Sequence, residues 1–100
     1  MSFSERVYNA CREIPKGKVS TYGELAKALG KSKASRAVGQ ALRHNPYAPE
    51  VPCHRVVASD GKLHGFNGKF NNSEKARLLR SEGVEVVDNR IDLKKFGYKF

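Results

Sequence analysis

Three prolines within residues 45–52, Asn-Pro-Tyr-Ala-Pro-Glu-Val-Pro, constrain this 100-residue chain more than any other feature. Proline lacks a backbone N–H and clashes with the preceding helical turn, so this segment cannot be the interior of a helix. A segment of this kind is stiff and can fix the position of whatever follows it. The residue that follows is Cys53.

Before the prolines, the spacing of apolar residues predicts three helices. The first covers about 3–13, with Ser2 and Glu5 as a capping box. The second covers about 22–29, with Thr21 and Glu24 at its start and Gly30 at its end. The third runs from about 33 to 44, with Ser32 as its cap. The residues expected on the buried sides of these helices are Phe3, Val7, Ala10, Cys11, Ile14, Leu25, Ala26, Leu29, Ala34, Ala37, Val38, Ala41 and Leu42.

The second and third helices, joined by a short turn that contains Gly30, have the form of a helix-turn-helix. In DNA-binding versions of this motif the second helix enters a groove of the DNA. The alternative is a plain helical hairpin in a small core.

After the prolines, the apolar run 56–58 and the turn at 59–61 predict a small strand pair or wing near 55–64. Residues 64–72 are rich in Gly and Asn and indicate a loop. A last helix is expected over about 73–82, with Leu78 and Leu79 buried and Gly83 ending it. The fold class is mainly α with a small β wing, as one domain over 1–100 with a core of about 3–85. The tail 86–100 has no assignment.

The charge of the chain favours a polyanionic partner. Nineteen Lys and Arg oppose ten Asp and Glu, which gives +9 and a pI near 9.8. A small basic domain often binds nucleic acid, although a merely well-solvated surface has the same composition. Charge alone distinguishes neither DNA from RNA nor a binding protein from an enzyme.

No segment is long and apolar enough to span a membrane, and the N-terminus lacks the layout of a signal peptide. A protein that is not exported is expected in a reducing compartment, so Cys11 and Cys53 are predicted to be thiols and not a disulfide. The Cys and His spacing does not resemble a zinc site, and no metal or other cofactor is expected.

Cys53 is the candidate for chemistry. A thiol attacks well only as the thiolate, and an ordinary cysteine pKa of about 8.5 leaves little thiolate at neutral pH. A base such as a histidine held by a carboxylate would remove the proton. Cys53 could instead be a small buried hydrophobe. Its neighbours in Pro52-Cys-His-Arg-Val56, the rigid segment before it and the helix-turn-helix favour chemistry.

The segment Pro52-Cys-His-Arg-Val56 resembles the active-site signature of the O6-alkylguanine-DNA alkyltransferases. The resemblance extends to Gly17-Lys-Val-Ser-Thr-Tyr22, Ser35-Arg-Ala-Val-Gly39, Asn45-Pro46 and Ser81-Glu-Gly83, in the order and at the spacing of the family. It covers roughly residues 3–85. It implies a winged helix-turn-helix DNA repair protein that transfers an alkyl group from O6-alkylguanine in double-stranded DNA to its own cysteine, once per molecule.

The resemblance also implies roles for single residues. Cys53 would be the alkyl acceptor, His54 its base through a water, and Glu82 the group that orients the imidazole. Asn45 would tie the recognition helix to the active-site segment. Taken singly, Glu82 could be a surface carboxylate and Asn45 a helix end, but their joint occurrence in the family's order favours the functional roles.

On the DNA side, the resemblance makes Arg36 the finger that replaces the flipped guanine, and Tyr22 the residue that pushes the 3′ phosphate. Alone, Arg36 could be a solvated helix charge and Tyr22 a core aromatic. The third helix would lie in the minor groove, where small side chains allow a close approach. The further DNA contacts implied are Ser4, Lys31, Ala34, Ser35, Ala37, Gly39, Arg43 and Ser59.

The substrate pocket would be lined by Leu42, Val56, Phe66 and Asn67. The family usually has a Tyr-Ser pair where Phe66 and Asn67 stand. Phe66 can stack on a base but cannot donate a hydrogen bond, whereas Asn67 can donate to O6. The family also usually carries an N-terminal domain, which this sequence lacks, so a partner protein could take its place. A monomer is expected, in the cytoplasm on the nucleoid or in a nucleus.

Two other functions remain open. An alkyltransferase-like damage sensor would suit the size of the chain, but such proteins lack the reactive cysteine. A winged-helix transcription regulator would need polar side chains on its recognition helix to read major-groove bases, and the Ala- and Gly-rich third helix is poorly equipped for that.

Overall fold

The computed structural model describes residues 1–63 and 72–100, and there it confirms a mainly helical fold with a small sheet. In chain order the elements are α1 (Phe3–Arg12), β1 (Ser20–Thr21), α2 (Tyr22–Ala28), α3 (Ser35–Arg43), a 3₁₀ turn (Cys53–Arg55), β2 (Val56–Val57), α4 (Asn72–Ser81) and α5 (Leu93–Phe96). Across the described residues no helix is long and apolar enough to cross a membrane.

The ends of α1 and α2 lie where local capping chemistry predicts them. The Ser2 hydroxyl accepts a hydrogen bond from the Glu5 N–H at 3.1 Å, and the Thr21 hydroxyl accepts one from the Glu24 N–H at 3.1 Å. Gly30 ends α2 with a φ of 75°, a left-handed conformation that glycine adopts without strain. These short-range interactions fix the ends of α1 and of α2, which is the first helix of the helix-turn-helix.

The predicted start of α3 is wrong. The Ala34 N–H donates to the Lys31 carbonyl at 2.8 Å, which closes a turn, so the helix begins at Ser35 and Ser32 does not cap it. Val38, Ala41 and Leu42 are buried as expected, but Ala37 is exposed. Ala37 therefore lies on the outer side of α3, opposite the buried Val38, Ala41 and Leu42.

The strand at 56–57 is present, but its predicted partner within 55–64 is wrong. β2 pairs in parallel with β1, with Ser20 opposite Val56 and Thr21 opposite Val57. One hairpin-type bond is present, from the Ala58 N–H to the Lys62 carbonyl at 3.1 Å, but the next backbone groups bind the C-terminal segment. The Leu63 N–H donates to the Asn89 carbonyl at 3.0 Å, and the Ile91 N–H donates to the Gly61 carbonyl at 2.9 Å.

Helix α4 ends in a Schellman motif at Gly83, whose φ is 89°. The Val84 N–H donates to the Leu79 carbonyl at 3.0 Å, and the Gly83 N–H donates to the Arg80 carbonyl at 3.1 Å. Leu79 is fully buried, whereas Leu78, also predicted to be buried, is only half-buried. The motif directs the chain after Glu82 back toward the core.

Two apolar clusters form the core. The first cluster joins α1, α2 and α3 to Val51, Cys53 and Val56. The second cluster joins the last quarter of the chain to earlier residues, and its buried members are Val19, Val57, Leu63, Ala76, Leu79, Val84, Val86, Ile91 and Phe96. The tail 86–100, which had no assignment from sequence, therefore completes the second cluster through Val86, Ile91 and Phe96.

Candidate active site

Asn45, just after α3, holds the segment that leads to Cys53. Its side-chain amide donates to the Val51 carbonyl at 2.9 Å, and its carbonyl oxygen accepts from the Tyr47 N–H at 2.9 Å. The Cys53 N–H donates to the Val51 carbonyl at 2.8 Å. Since Asn45 is itself buried, these contacts connect α3 rigidly to the 3₁₀ turn that starts at Cys53.

The Cys53 thiol is fully buried in the first cluster. Burial raises its pKa, because a thiolate is poorly solvated there. A hydrogen bond with Asn45 and the charge of Lys75 act in the opposite direction but do not cancel the effect. The thiol is therefore protonated at neutral pH and needs a base before it can act as a nucleophile.

His54 and Glu82 form a hydrogen-bonded pair beside Cys53. His54 Nε2 lies 3.0 Å from Glu82 Oε2, and both side chains are largely buried. Arg55 also holds the carboxylate, with Nε to Oε1 at 2.9 Å and a terminal nitrogen to Oε2 at 2.8 Å. A further Arg55 nitrogen donates to the Ile14 carbonyl at 2.8 Å, which anchors the cluster to the end of α1.

The charge states of this cluster suit proton transfer. Burial lowers the pKa of His54, although Glu82 opposes the effect, so the imidazole is neutral at physiological pH. Burial raises the pKa of Glu82, but hydrogen bonds from Arg55 and His54 outweigh it and leave the pKa below its usual value. A neutral His54 that donates from Nε2 to an ionised Glu82 has Nδ1 as its basic nitrogen.

Lys75 is a polar group of the site that the sequence analysis missed. It is fully buried, and Nζ donates to the Val56 carbonyl at 2.6 Å and lies 6.0 Å from the centre of the Tyr22 ring. Burial lowers its pKa to about 8, against the influence of Cys53 and Cys11. Its position four residues before Leu79 could have indicated that it shares the buried side of α4. Arg55, whose role was also missed, stands in the signature pentapeptide itself.

Helix α3 presents an exposed basic surface with small side chains. Ser35, Arg36, Ala37 and Arg43 are exposed, and Gly39 is half-buried against the Tyr22 ring. Because Tyr22 starts α2, this contact brings together two of the residues that the resemblance assigns to DNA binding. Small residues between two arginines leave room for a close approach by a partner.

The other residues assigned to DNA lie on several elements. Lys31 is exposed in the turn before α3, Ala34 is partly buried at its cap, and Ser4 is partly buried in the first turn of α1. Ser59 lies exposed in the turn after β2 and lines a groove with Thr21, the residue before Tyr22.

Two of the residues assigned to the substrate pocket, Leu42 and Val56, are fully buried in the first cluster with Cys53. Their positions make them part of the apolar surroundings of the thiol. The other two, Phe66 and Asn67, lie outside the described residues.

Residues 2–84 match the family model described as 6-O-methylguanine DNA methyltransferase, DNA binding domain. Among curated proteins, the chain is 51% identical over 81 residues to a methylated-DNA–protein-cysteine methyltransferase of Methanosarcina acetivorans, covering 81% of the chain and 51% of that protein. It is 48% identical over 80 residues to a protein of the same name from Mycobacterium tuberculosis, covering 80% of the chain and 47% of that protein. The chain thus spans about half the length of these relatives.

Two solved structures have the same fold. Schizosaccharomyces pombe Atl1, in complex with damaged DNA containing O6-carboxymethylguanine, matches with a TM-score of 0.88 and 36% identity, over 98% of this chain and 95% of that one. Mycobacterium tuberculosis OGT in complex with DNA matches with a TM-score of 0.73 and 46% identity, over 82% of this chain and 50% of that one.

Proposed function

The chain belongs to the 6-O-methylguanine DNA methyltransferase family, and from this membership we propose that it transfers the alkyl group of an O6-alkylguanine in duplex DNA to Cys53. The observation that carries the proposal is the buried Cys53 followed directly by His54, whose Nε2 lies 3.0 Å from Glu82. A thiol of raised pKa next to a neutral, carboxylate-held imidazole is a nucleophile with its base.

In the proposed reaction, His54 takes the thiol proton through a water, and the imidazolium is stabilised by Glu82. The sulfur then attacks the alkyl carbon. A C–S bond forms as the C–O6 bond breaks, the electron pair stays on guanine, and guanine takes up a proton as it leaves. Arg55 fixes Glu82, and Asn45 fixes the segment before Cys53. The reaction converts the Cys53 thiol into a thioether, and the thiol is not regenerated, so each molecule reacts once. The protein acts as a monomer.

The alkylated base must leave the helix before a buried thiol can reach it, because O6 is otherwise paired and stacked. We assign α3 to the minor groove, where Ala34, Ser35, Ala37 and Gly39 allow a close approach. Arg36 fills the space that the base vacates, since a planar guanidinium can stack and also bond to the orphaned partner base.

The remaining proposed contacts are with the DNA backbone and the flipped base. Tyr22 pushes the phosphate 3′ to the lesion. Ser4, Lys31, Arg43 and Ser59 contact the backbone, whereas Leu42, Val56, Phe66 and Asn67 surround the base.

Intact-mass measurement after incubation with an O6-methylguanine duplex tests the transfer. The expected result is a gain of one methyl group per protein molecule, and an unchanged mass would contradict the proposal.

Arg36→Ala tests flipping, because it should slow repair of the duplex more than reaction with O6-benzylguanine, which has no stack to leave. Arg77→Ala, which removes an exposed arginine from α4 where no DNA contact is assigned, is the control and should affect neither rate. Equal losses on both substrates for Arg36→Ala would remove the flipping role.

A second candidate is a lesion-binding protein that does not remove the alkyl group. The match to Atl1 over nearly the full length of both chains favours it. The presence of Cys53 favours transfer. The same mass measurement separates the two, since a lesion-binding protein would bind the duplex tightly and gain no mass.

A further inference from the structure

An open groove of about 690 Å³ lies between the start of α2, the turn after β2 and the C-terminal segment. Its polar side chains are those of Ser20, Thr21, Glu24, Ser59, Lys94 and Lys99, with the Tyr98 ring beside them. Two lysines against one glutamate give these side chains a net charge of +1. Lys94 and Lys99 lie beyond residue 84, where the family match ends.

Neighbouring lysines in this region differ in whether their ammonium groups form a hydrogen bond or an ion pair within the chain. Lys18 donates to the Lys95 carbonyl at 3.2 Å, and Lys95 pairs with Glu85 at 2.7 Å. Lys94 and Lys99 are exposed, and neither ammonium group forms an ion pair or hydrogen bond with any residue that the structure describes. The two lysines that line the groove are therefore available to an external anion.

The groove is continuous with the DNA-binding surface of the proposed function. Thr21 precedes Tyr22, which we assign to a phosphate, and Ser59 is itself an assigned backbone contact. From this position we infer that Lys94 and Lys99 bind backbone phosphates of the DNA duplex, next to those contacted by Tyr22 and Ser59. The inference rests on the proposed DNA binding and extends it to the C-terminal segment.

The backbone around the two lysines is well fixed, so little order has to be gained on binding. The Tyr98 N–H donates to the Val19 carbonyl at 2.7 Å, and the Val19 N–H donates to the Phe96 carbonyl at 2.9 Å. The Ser20 hydroxyl donates to the Tyr98 carbonyl at 2.9 Å. These bonds hold the segment alongside β1, which leads directly to Tyr22.

The test compares Lys94→Gln/Lys99→Gln with Lys95→Gln by measuring duplex affinity at several salt concentrations. Each phosphate contact contributes about 0.9 to the slope of log affinity against log salt. The double variant should lose between about 1 and 2 units of slope and should bind more weakly at low salt. Lys95→Gln removes a charge from the same helix, but that charge is paired with Glu85, so its slope should stay near the wild-type value.

Methylphosphonates placed singly along the duplex locate the contact. Neutralising the phosphates bound by Lys94 and Lys99 should weaken the wild-type protein but leave the double variant unchanged. The inference is overturned if the double variant keeps the wild-type slope, or if Lys95→Gln loses as much.

Failure of the proposed transfer would be seen separately, in the mass of the wild-type protein. If the salt slopes differ as expected but the wild-type protein gains no alkyl group, phosphate binding by Lys94 and Lys99 is supported and the proposed transfer is contradicted. If the wild-type protein gains the alkyl group but the double variant keeps the wild-type salt slope, only the proposed phosphate binding by Lys94 and Lys99 is contradicted.

Discussion

Cys11 and Cys53 are both fully buried in the first cluster, but they lie in very different surroundings. Neither forms a disulfide, as the sequence predicts. Cys11 lies on the apolar side of α1 between Val7 and Ile14, and burial raises its pKa strongly. The charge of Lys75 lowers the pKa of both thiols against the effect of burial, but the hydrogen bond with Asn45 acts on Cys53 and not on Cys11. The polar neighbours, and not exposure, distinguish the candidate nucleophile from the structural thiol.

Exchanging each cysteine for alanine gives the largest expected difference between the two regions. Cys53→Ala should abolish alkyl transfer and retain or tighten binding to alkylated DNA, because the thiol is needed for displacement and not for docking. Cys11→Ala should keep the full stoichiometry. The measurement is intact mass after incubation with excess O6-methylguanine duplex. A methyl group gained by Cys53→Ala would refute the assignment.

Removing the general base His54 should have the next largest effect on alkyl transfer. Cys11 has no comparable group beside it in α1. His54→Ala should slow transfer by about 10²- to 10⁴-fold on both the duplex and O6-benzylguanine, the usual contribution of general base catalysis. Glu82→Gln should also slow both, because the imidazolium loses its counter-charge. Single-turnover rates on the two substrates check this.

Glu50→Gln is the matched control for Glu82→Gln. Glu50 also accepts two hydrogen bonds from an arginine, Arg12, at 2.7 and 2.8 Å, but on the exposed surface. Its loss should leave the rates unchanged. If Glu50→Gln and Glu82→Gln slowed transfer equally, the carboxylate of Glu82 would have no special relation to His54.

Burying Lys75 near Cys53 should make stability depend on pH. Its pKa falls from 10.5 to about 8 on folding, so between these values the unfolded chain binds more protons and stability rises with pH. Below about pH 8, Lys75 is charged in the folded protein, and the full free-energy cost of burying that charge lowers stability. Relative to Lys75→Met, the free energy of unfolding of the wild type should rise by up to about 3 kcal/mol between pH 8 and 10.5. Urea unfolding of both proteins at several pH values measures this, and a constant difference would contradict the shifted pKa.

The same substitution should have a smaller effect on reactivity. Without the positive charge of Lys75, the pKa of Cys53 should rise further, and a rise of one unit would lower the thiolate population by about tenfold. The rate with O6-benzylguanine should therefore rise at higher pH in Lys75→Met than in the wild type. Arg77→Met, which removes an exposed charge from the same helix, should leave the profile in place. Superimposable profiles for all three proteins would show that Lys75 does not tune the thiol.

Sequence reasoning succeeded where the interactions are short-range. Ser2 and Thr21 cap helices through bonds that reach three residues along the chain, and Gly30 and Gly83 end helices by their own backbone conformation. It failed at Ser32, where a turn closed by Ala34 competes with the cap. The signature Pro52-Cys-His-Arg-Val56 and the ordered matches around it identified the family, because they depend on residue types and spacing.

The sequence by itself thus determined the helices of the first half, the family and the identity of the candidate nucleophile. Tertiary structure decided which strand pairs with β2, that Arg55 binds Glu82 from 27 positions away, and that Lys75 lies fully buried with Nζ on the Val56 carbonyl. It also decided that the segment 84–100 closes the second cluster and lies against β1. The physical reason is the distance along the chain between the interacting groups. A cap or a glycine turn is satisfied by near neighbours, whereas a buried charge or an unpaired strand edge takes its partner from whatever the packing of the whole chain brings beside it.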